Sequence, residues 1–113
     1  MNKEITQIMD DGRKVTGIIE NCTIQNGKIL YSNGNQYEGK INDGQAQGIG
    51  KMIYPNGDCY IGNFKFDLKH GQGKMDFYNG SQYDGQFFKG VFEGKAIFKF
   101  KNGNIYQGIS YFK

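Results

Sequence analysis

Four tyrosines, Tyr37, Tyr60, Tyr83 and Tyr106, stand 23 residues apart, and each is followed two positions later by a glycine. A fixed step of this length means that one supersecondary unit is copied along the chain. Such a unit cannot bury its apolar face alone, so neighbouring copies must stack into a continuous array. In arrays of this kind function usually lies on the shared surface rather than at a single catalytic point.

The first strong copy runs Tyr37-Glu38-Gly39-Lys40-Ile41, then Gly44, Gly48-Ile49-Gly50, Tyr54 and a closing Asn56-Gly57. The second runs Tyr60-Ile61-Gly62-Asn63-Phe64, Gly71-Gln72-Gly73, Phe77 and Asn79-Gly80. The third runs Tyr83-Asp84-Gly85-Gln86-Phe87, Gly90, Gly94-Lys95-Ala96, Phe100 and Asn102-Gly103. A weaker copy begins at Val15, one residue short of the full step, and keeps Gly17, Ile19, Tyr31 and Asn33-Gly34. These phases divide the chain into an N-terminal strand and turn (1–14), a degenerate repeat (15–36), three full repeats (37–59, 60–82, 83–105) and a partial one (106–113).

At 113 residues the chain is one domain at most. Its 18 glycines would suit disorder if scattered. They are instead periodic and interleaved with eight tyrosines and nine phenylalanines, which argues for an ordered, thin sheet. A net charge of +3 without a basic run leaves a weak footprint for nucleic acid. No segment approaches the roughly 20 apolar residues of a membrane-spanning helix. The N-terminus lacks the apolar core of a secretory signal, and Cys22 and Cys59 fall at unrelated places in the repeat. The expected location is therefore intracellular and reducing.

Asn-Gly or Asp-Gly between alternating apolar segments is a strong hairpin signal. Five pairs, Asp11-Gly12, Asn33-Gly34, Asn56-Gly57, Asn79-Gly80 and Asn102-Gly103, are expected to form type I′ tips joining antiparallel strands. Gly44, Gly48, Gly71, Gly90 and Gly94 would mark looser second connections. Alternation at period 2 puts Tyr37, Gly39 and Ile41 on one face and Gln36, Glu38 and Lys40 on the other. The glycines at inner positions leave room for a neighbouring ring or let the sheet bend. The predicted fold is all-β: an elongated antiparallel β-meander or solenoid of consecutive hairpins in a single twisted layer.

Tyr-x-Gly-x-Phe, a Gly-x-Gly pair and a closing Asn-Gly at this period resemble the MORN repeat (membrane occupation and recognition nexus), strongly over 37–113 and weakly over 15–36. There are departures that would soften single repeats: Asp67 in place of Gly44 and Gly90, Ala96 in place of a glycine, Ile41 in place of an aromatic. The resemblance implies a non-enzymatic scaffold that recruits partners, as in ciliary radial spokes and cytoskeletal complexes.

The tyrosine-bearing face collects Tyr37, Tyr54, Tyr60, Phe64, Phe77, Tyr83, Phe87, Phe98, Phe100 and Tyr106. These rings can pack on one another across strands. A single layer has nothing to cover them, however, so the face is expected to stay open as a groove for a segment of a partner protein. The apolar tail from Tyr106 to Lys113 is expected to offer a strand edge to a second copy or another subunit. On the opposite face Lys95, Lys99 and Lys101 form the one local basic cluster, an alternative contact for anionic lipid.

Catalysis has little support. His70 is the single histidine and reads as a loop residue, without a second ligand at zinc spacing. Gly71-Gln72-Gly73-Lys74 lacks the strand-to-helix setting and the following Ser/Thr of a phosphate loop. The sequence thus predicts no enzyme, no metal, no cofactor, no small-molecule substrate and no nucleic-acid partner. It predicts an adaptor that contacts protein, or by the alternative a membrane surface, in the cytoplasm, cytoskeleton or ciliary axoneme.

Overall fold

The computed structural model describes residues 3–111, with side chains through Gly108. Phe112 and Lys113 of the expected C-terminal edge lie outside the described residues. Ten strands follow one another: β1 (Glu4–Ile8), β2 (Lys14–Glu20), β3 (Thr23–Leu30), β4 (Gln36–Asn42), β5 (Gln45–Ile53), β6 (Cys59–Lys65), β7 (Leu68–Asp76), β8 (Gln82–Phe88), β9 (Val91–Lys99) and β10 (Ile105–Tyr111). They pair in sequence order as one open antiparallel sheet, 49 × 27 × 23 Å.

The connections alternate between two kinds, and the turn types are the reverse of those expected from the dipeptides. Each Asn-Gly tip is a five-residue loop. In the first of the Asn-Gly tips Gly34 N–H donates to Tyr31 O and Tyr31 N–H to Asn35 O, both at 3.0 Å, and only the glycine has positive φ, +95°. This is a type I turn closed by a left-handed glycine, and Pro55 at the second position of its tip suits it. The asparagine accepts from the N–H two residues on: Asn33 from Asn35, Asn56 from Asp58, Asn79 from Ser81 and Asn102 from Asn104, at 2.9–3.0 Å. The second connections, expected to be loose, are tight two-residue turns. Asn21-Cys22, Asp43-Gly44, Phe66-Asp67 and Lys89-Gly90 have positive φ at both central residues, as a type I′ turn requires.

A row of small residues crosses the sheet from β2 to β10. Gly17, Gly27, Gly39, Gly50, Gly62, Gly73, Gly85, Ala96 and Gly108 are paired neighbour to neighbour. Beside this row the register shifts in β2–β3, β4–β5, β6–β7 and β8–β9. The surplus residues sit on the second strand of each pair: between Gly39↔Gly50 and Ile41↔Ala46, β5 accommodates Gln47, Gly48 and Ile49 against Lys40 alone. Bulges bend a strand and increase its twist, so each pair folds along the glycine row. The front copy is one residue shorter because its bulge is: β3 has 8 residues where β5, β7 and β9 have 9.

Candidate interaction surfaces

The bend determines what becomes of the aromatic face. Tyr37 is 2% exposed, Tyr60 0% and Tyr83 1%, with Phe64 and Phe87 at 3%. These five expected groove residues are core, which corrects the expectation of an open face over β4–β8. The cover comes from the next-but-one strand. Phe64 of β6 meets Tyr37 of β4 at 5.0 Å and 82° between ring planes, and Phe87 of β8 meets Tyr60 of β6 at 5.0 Å and 84°. Tyr60–Phe64 and Tyr83–Phe87 complete an edge-on ladder, each at 5.1 Å, a geometry that aromatic quadrupoles favour.

The glycine row makes the ladder possible. A Cβ added at Gly50 would overlap the phenol end of the Tyr37 ring, and one at Gly73 that of the Tyr60 ring. The Tyr37 and Tyr60 rings therefore sit over bare backbone, and the hydroxyl of each of the three tyrosines donates to a carbonyl three residues on: Tyr37 to Lys40 O at 2.6 Å, Tyr60 to Asn63 O at 3.0 Å and Tyr83 to Gln86 O at 2.9 Å. Burial pushes the Tyr37 phenol up to about 12, because the charged form is disfavoured away from water.

The other five expected residues lie toward the rim and the C-terminal end. Tyr54, Phe77 and Phe98 are half-buried, whereas Phe100 and Tyr106 remain 44% and 52% exposed. Phe77 stacks on Phe98 at 5.9 Å, and Phe98 meets Phe100 at 4.7 Å. Phe92 lies against Tyr83 at 4.3 Å, at the inner position held by Ala46 and Lys69 in the preceding copies.

Two polar features on the inner side were not found by sequence reasoning. Asp67 occupies a type I′ turn where the other full copies carry glycine. Its carboxylate accepts from Tyr31 OH at 2.8 Å, Ala46 N–H at 2.8 Å and the Arg13 guanidinium at 2.8 Å. Arg13 also donates to Gly44 O at 3.0 Å and pairs with Asp11. Asp67 thus joins turns 54 residues apart in sequence, and the expectation that it softens its repeat is corrected. The departure from the repeat pattern at this position was the available signal. The second feature is Lys69, whose ammonium sits 5.1 Å from the Tyr54 ring centroid and 5.7 Å from that of Phe87. Burial lowers its pKa.

Lys95, Lys99 and Lys101 are all exposed. Lys95 and Lys99 share the outer face of β9 but stand four residues apart, about 13 Å along a strand, and Lys101 belongs to the following tip. They do not converge on one point. On that outer face a depression of about 670 Å³ over β1–β5 has Lys14, Lys28, Lys51 and Glu38 around it, a border of mixed charge. His70 lies in the bulge of β7 rather than in a loop, half-buried with its ring 5.4 Å from Phe88.

The MORN repeat family model matches residues 37–59, 60–82 and 83–105. Comparison with curated proteins finds no significant match. Repeats of this kind generally mediate protein or membrane contacts and are not catalytic. Three contiguous matches over more than half of the chain, each with a buried tyrosine and an Asn-Gly tip, mean that the chain belongs to the MORN-repeat family.

Proposed function

We propose that the chain is a non-catalytic adaptor that holds an extended apolar segment of a partner protein at its β10 end. The observation that carries this reading is the state of the aromatic face there. Over β4–β8 the rings are sealed, Tyr37 and Tyr60 by a phenylalanine of the next copy and Tyr83 by Phe87 and Phe92 of its own, whereas Phe100 and Tyr106 keep about half of their surface in water. Next to them β10 pairs with β9 on one side, and no strand lies on its other side among the described residues. An added strand gains main-chain hydrogen bonds from such an edge and side-chain pockets from the rings beside it. The burial of Tyr37, Tyr60, Phe64, Tyr83 and Phe87 removes them from direct contact. Phe77 and Phe98 become the floor of the site and Phe100 and Tyr106 its walls.

The setting proposed is an intracellular assembly, cytoskeletal or ciliary, in which the adaptor is one subunit. The test is photocrosslinking in the native cell from a probe at Gln107, with and without Phe100→Glu and Tyr106→Glu. A defined crosslinked protein that is lost in the variants supports the reading. Equal crosslinking by variants that melt like the parent chain overturns it. The alternative, anionic lipid at Lys95, Lys99 and Lys101, rests on their exposure alone. It requires sedimentation with phosphatidylserine vesicles that weakens as salt is raised.

A further inference from the structure

The five hairpin tips on one rim overlap like shingles. The glycine of each of the first four tips is covered by the second residue of the following tip. A Cβ built at Gly12 meets Ser32 Cβ at 3.7 Å, one at Gly34 meets Pro55 Cγ at 3.2 Å, one at Gly57 meets Tyr78 Cβ at 3.3 Å and one at Gly80 meets Lys101 Cγ at 3.5 Å. At Gly103 nothing lies within 4 Å among the described residues. The four Asn-Gly tips are otherwise alike: the glycine N–H donates to a carbonyl at 2.9–3.0 Å and the asparagine side chain accepts from the residue two on.

Asn-Gly is the dipeptide in which the backbone nitrogen most readily attacks the preceding side-chain amide, because glycine offers no Cβ hindrance. The attack cannot occur within a closed tip. The glycine nitrogen must first leave its carbonyl partner, and the asparagine must leave the Asx turn. A tip held under the next one can open only by displacing it, so chemistry at a tip reports local opening free energy.

We infer that Asn102-Gly103 is a selective site of spontaneous deamidation in the folded protein, with Asn33, Asn56 and Asn79 protected by the overlapping tips. Once Gly103 N–H separates from Phe100 O, now at 2.9 Å, the nitrogen loses its proton to solvent base and bonds to Asn102 Cγ. The Cγ–NH2 bond breaks, and ammonia leaves with a proton from water. The resulting cyclic imide adds one water and opens to aspartate or isoaspartate. Either product places a carboxylate next to Lys101 in the tip. Isoaspartate also adds a methylene to the main chain inside the tip that sets the β9–β10 register, and so loosens β10. The inference does not depend on β10 binding a partner.

The test is to incubate the folded chain at mildly alkaline pH and map each asparagine by peptide mass spectrometry. Hydrogen exchange of β10 is followed in parallel. Asn102 is expected to convert at least about tenfold faster than Asn33, Asn56 and Asn79, the ratio that corresponds to about 1.4 kcal/mol of extra opening free energy at a covered tip. In denaturant the four rates should converge. Tyr78→Gly, which removes the covering Cβ, should accelerate Asn56, whereas Tyr78→Ala, which retains it, should not. Equal rates at the four tips of the folded chain, or protection of Asn102, would overturn the inference. So would acceleration of Asn56 by Tyr78→Ala to the same extent as by Tyr78→Gly.

Discussion

Tyr60 is the least exposed aromatic residue among the described ones. Phe64 and Phe87 flank it at 5.1 and 5.0 Å, bare backbone lies beneath it, and its hydroxyl is bonded to Asn63 O. Tyr60→Phe leaves that carbonyl short of a donor and should cost about 1 kcal/mol in chemical denaturation. Gly73→Ala should cost more, about 2 kcal/mol, because the new methyl overlaps a ring that cannot move aside. Ala96 is the informative control. It carries a methyl at the equivalent place, but Tyr83 above it has Phe87 and Phe92 as its nearest rings and is not locked between two phenylalanines of the ladder. A Gly73→Ala protein as stable as the parent would mean that the row does not seat the rings. Asp67 gives a second prediction at this scale. Asp67→Gly restores the residue found at Gly44 and Gly90 yet removes three hydrogen bonds, one from a guanidinium. It should destabilise by about 2–3 kcal/mol, and a double-mutant cycle with Arg13→Ala should show strong coupling. Additivity of the two changes would refute the bridge.

Hairpin tips and bulges are the elements that set the period. At the tips, the value of the asparagine depends on where its partner N–H lies. Ser81 is 7% exposed, so Asn79→Ala strands a nearly dry donor and should cost about 1 kcal/mol. Asn102→Ala leaves Asn104 N–H in water and should cost less than about 0.5 kcal/mol. Equal losses at both tips would refute this account. The tips and the strand parity were legible in the sequence, because Asn-Gly and period-2 alternation report local backbone requirements. The turn types were not, since Asn-Gly serves both a type I′ turn and a left-handed glycine after a type I turn. The residue count between strands separates the two, five at Tyr31–Asn35 against two at Asp43-Gly44. The one-residue deficit at Val15 recorded a shorter bulge in β3. The closure of the aromatic face was hidden for a different reason. Parity tells which face a ring takes, whereas burial of Tyr37 by Phe64 depends on sheet curvature, which arises from bulges that a sequence pattern does not display. The Arg13–Asp67 contact joins positions with no shared pattern.

The whole molecule behaves as a chain of neighbours, each copy lending a ring to the one before it, so its stability should approximate a sum of copies and interfaces. Alkaline pH probes that coupling. Burial raises the phenols of Tyr31, Tyr37, Tyr54, Tyr60 and Tyr83, with Tyr37 and Tyr54 pushed up to about 12, against an ordinary value near 10. Between those values the folded state retains protons that the unfolded chain has released. The unfolded state then binds fewer protons, and stability must fall as pH rises. The contribution of the tyrosines is complete below about 10 and is lost on passing through about 12. Lys69 acts with the opposite sign. Burial lowers its pKa, so its desolvation cost is relieved as pH approaches its ordinary value near 10.4, a small gain that precedes the loss. Because Tyr37, Tyr60 and Tyr83 are joined through Phe64 and Phe87, exposing one ring uncovers the next. Tyrosinate absorbance from these residues should therefore appear together with loss of strand circular dichroism in one steep transition above about pH 10. Tyr60→Phe, which removes an ionisable group from the middle of the ladder, should make that transition shallower. If all tyrosines titrate independently near 10 while the strand signal persists, the rings are not a coupled core.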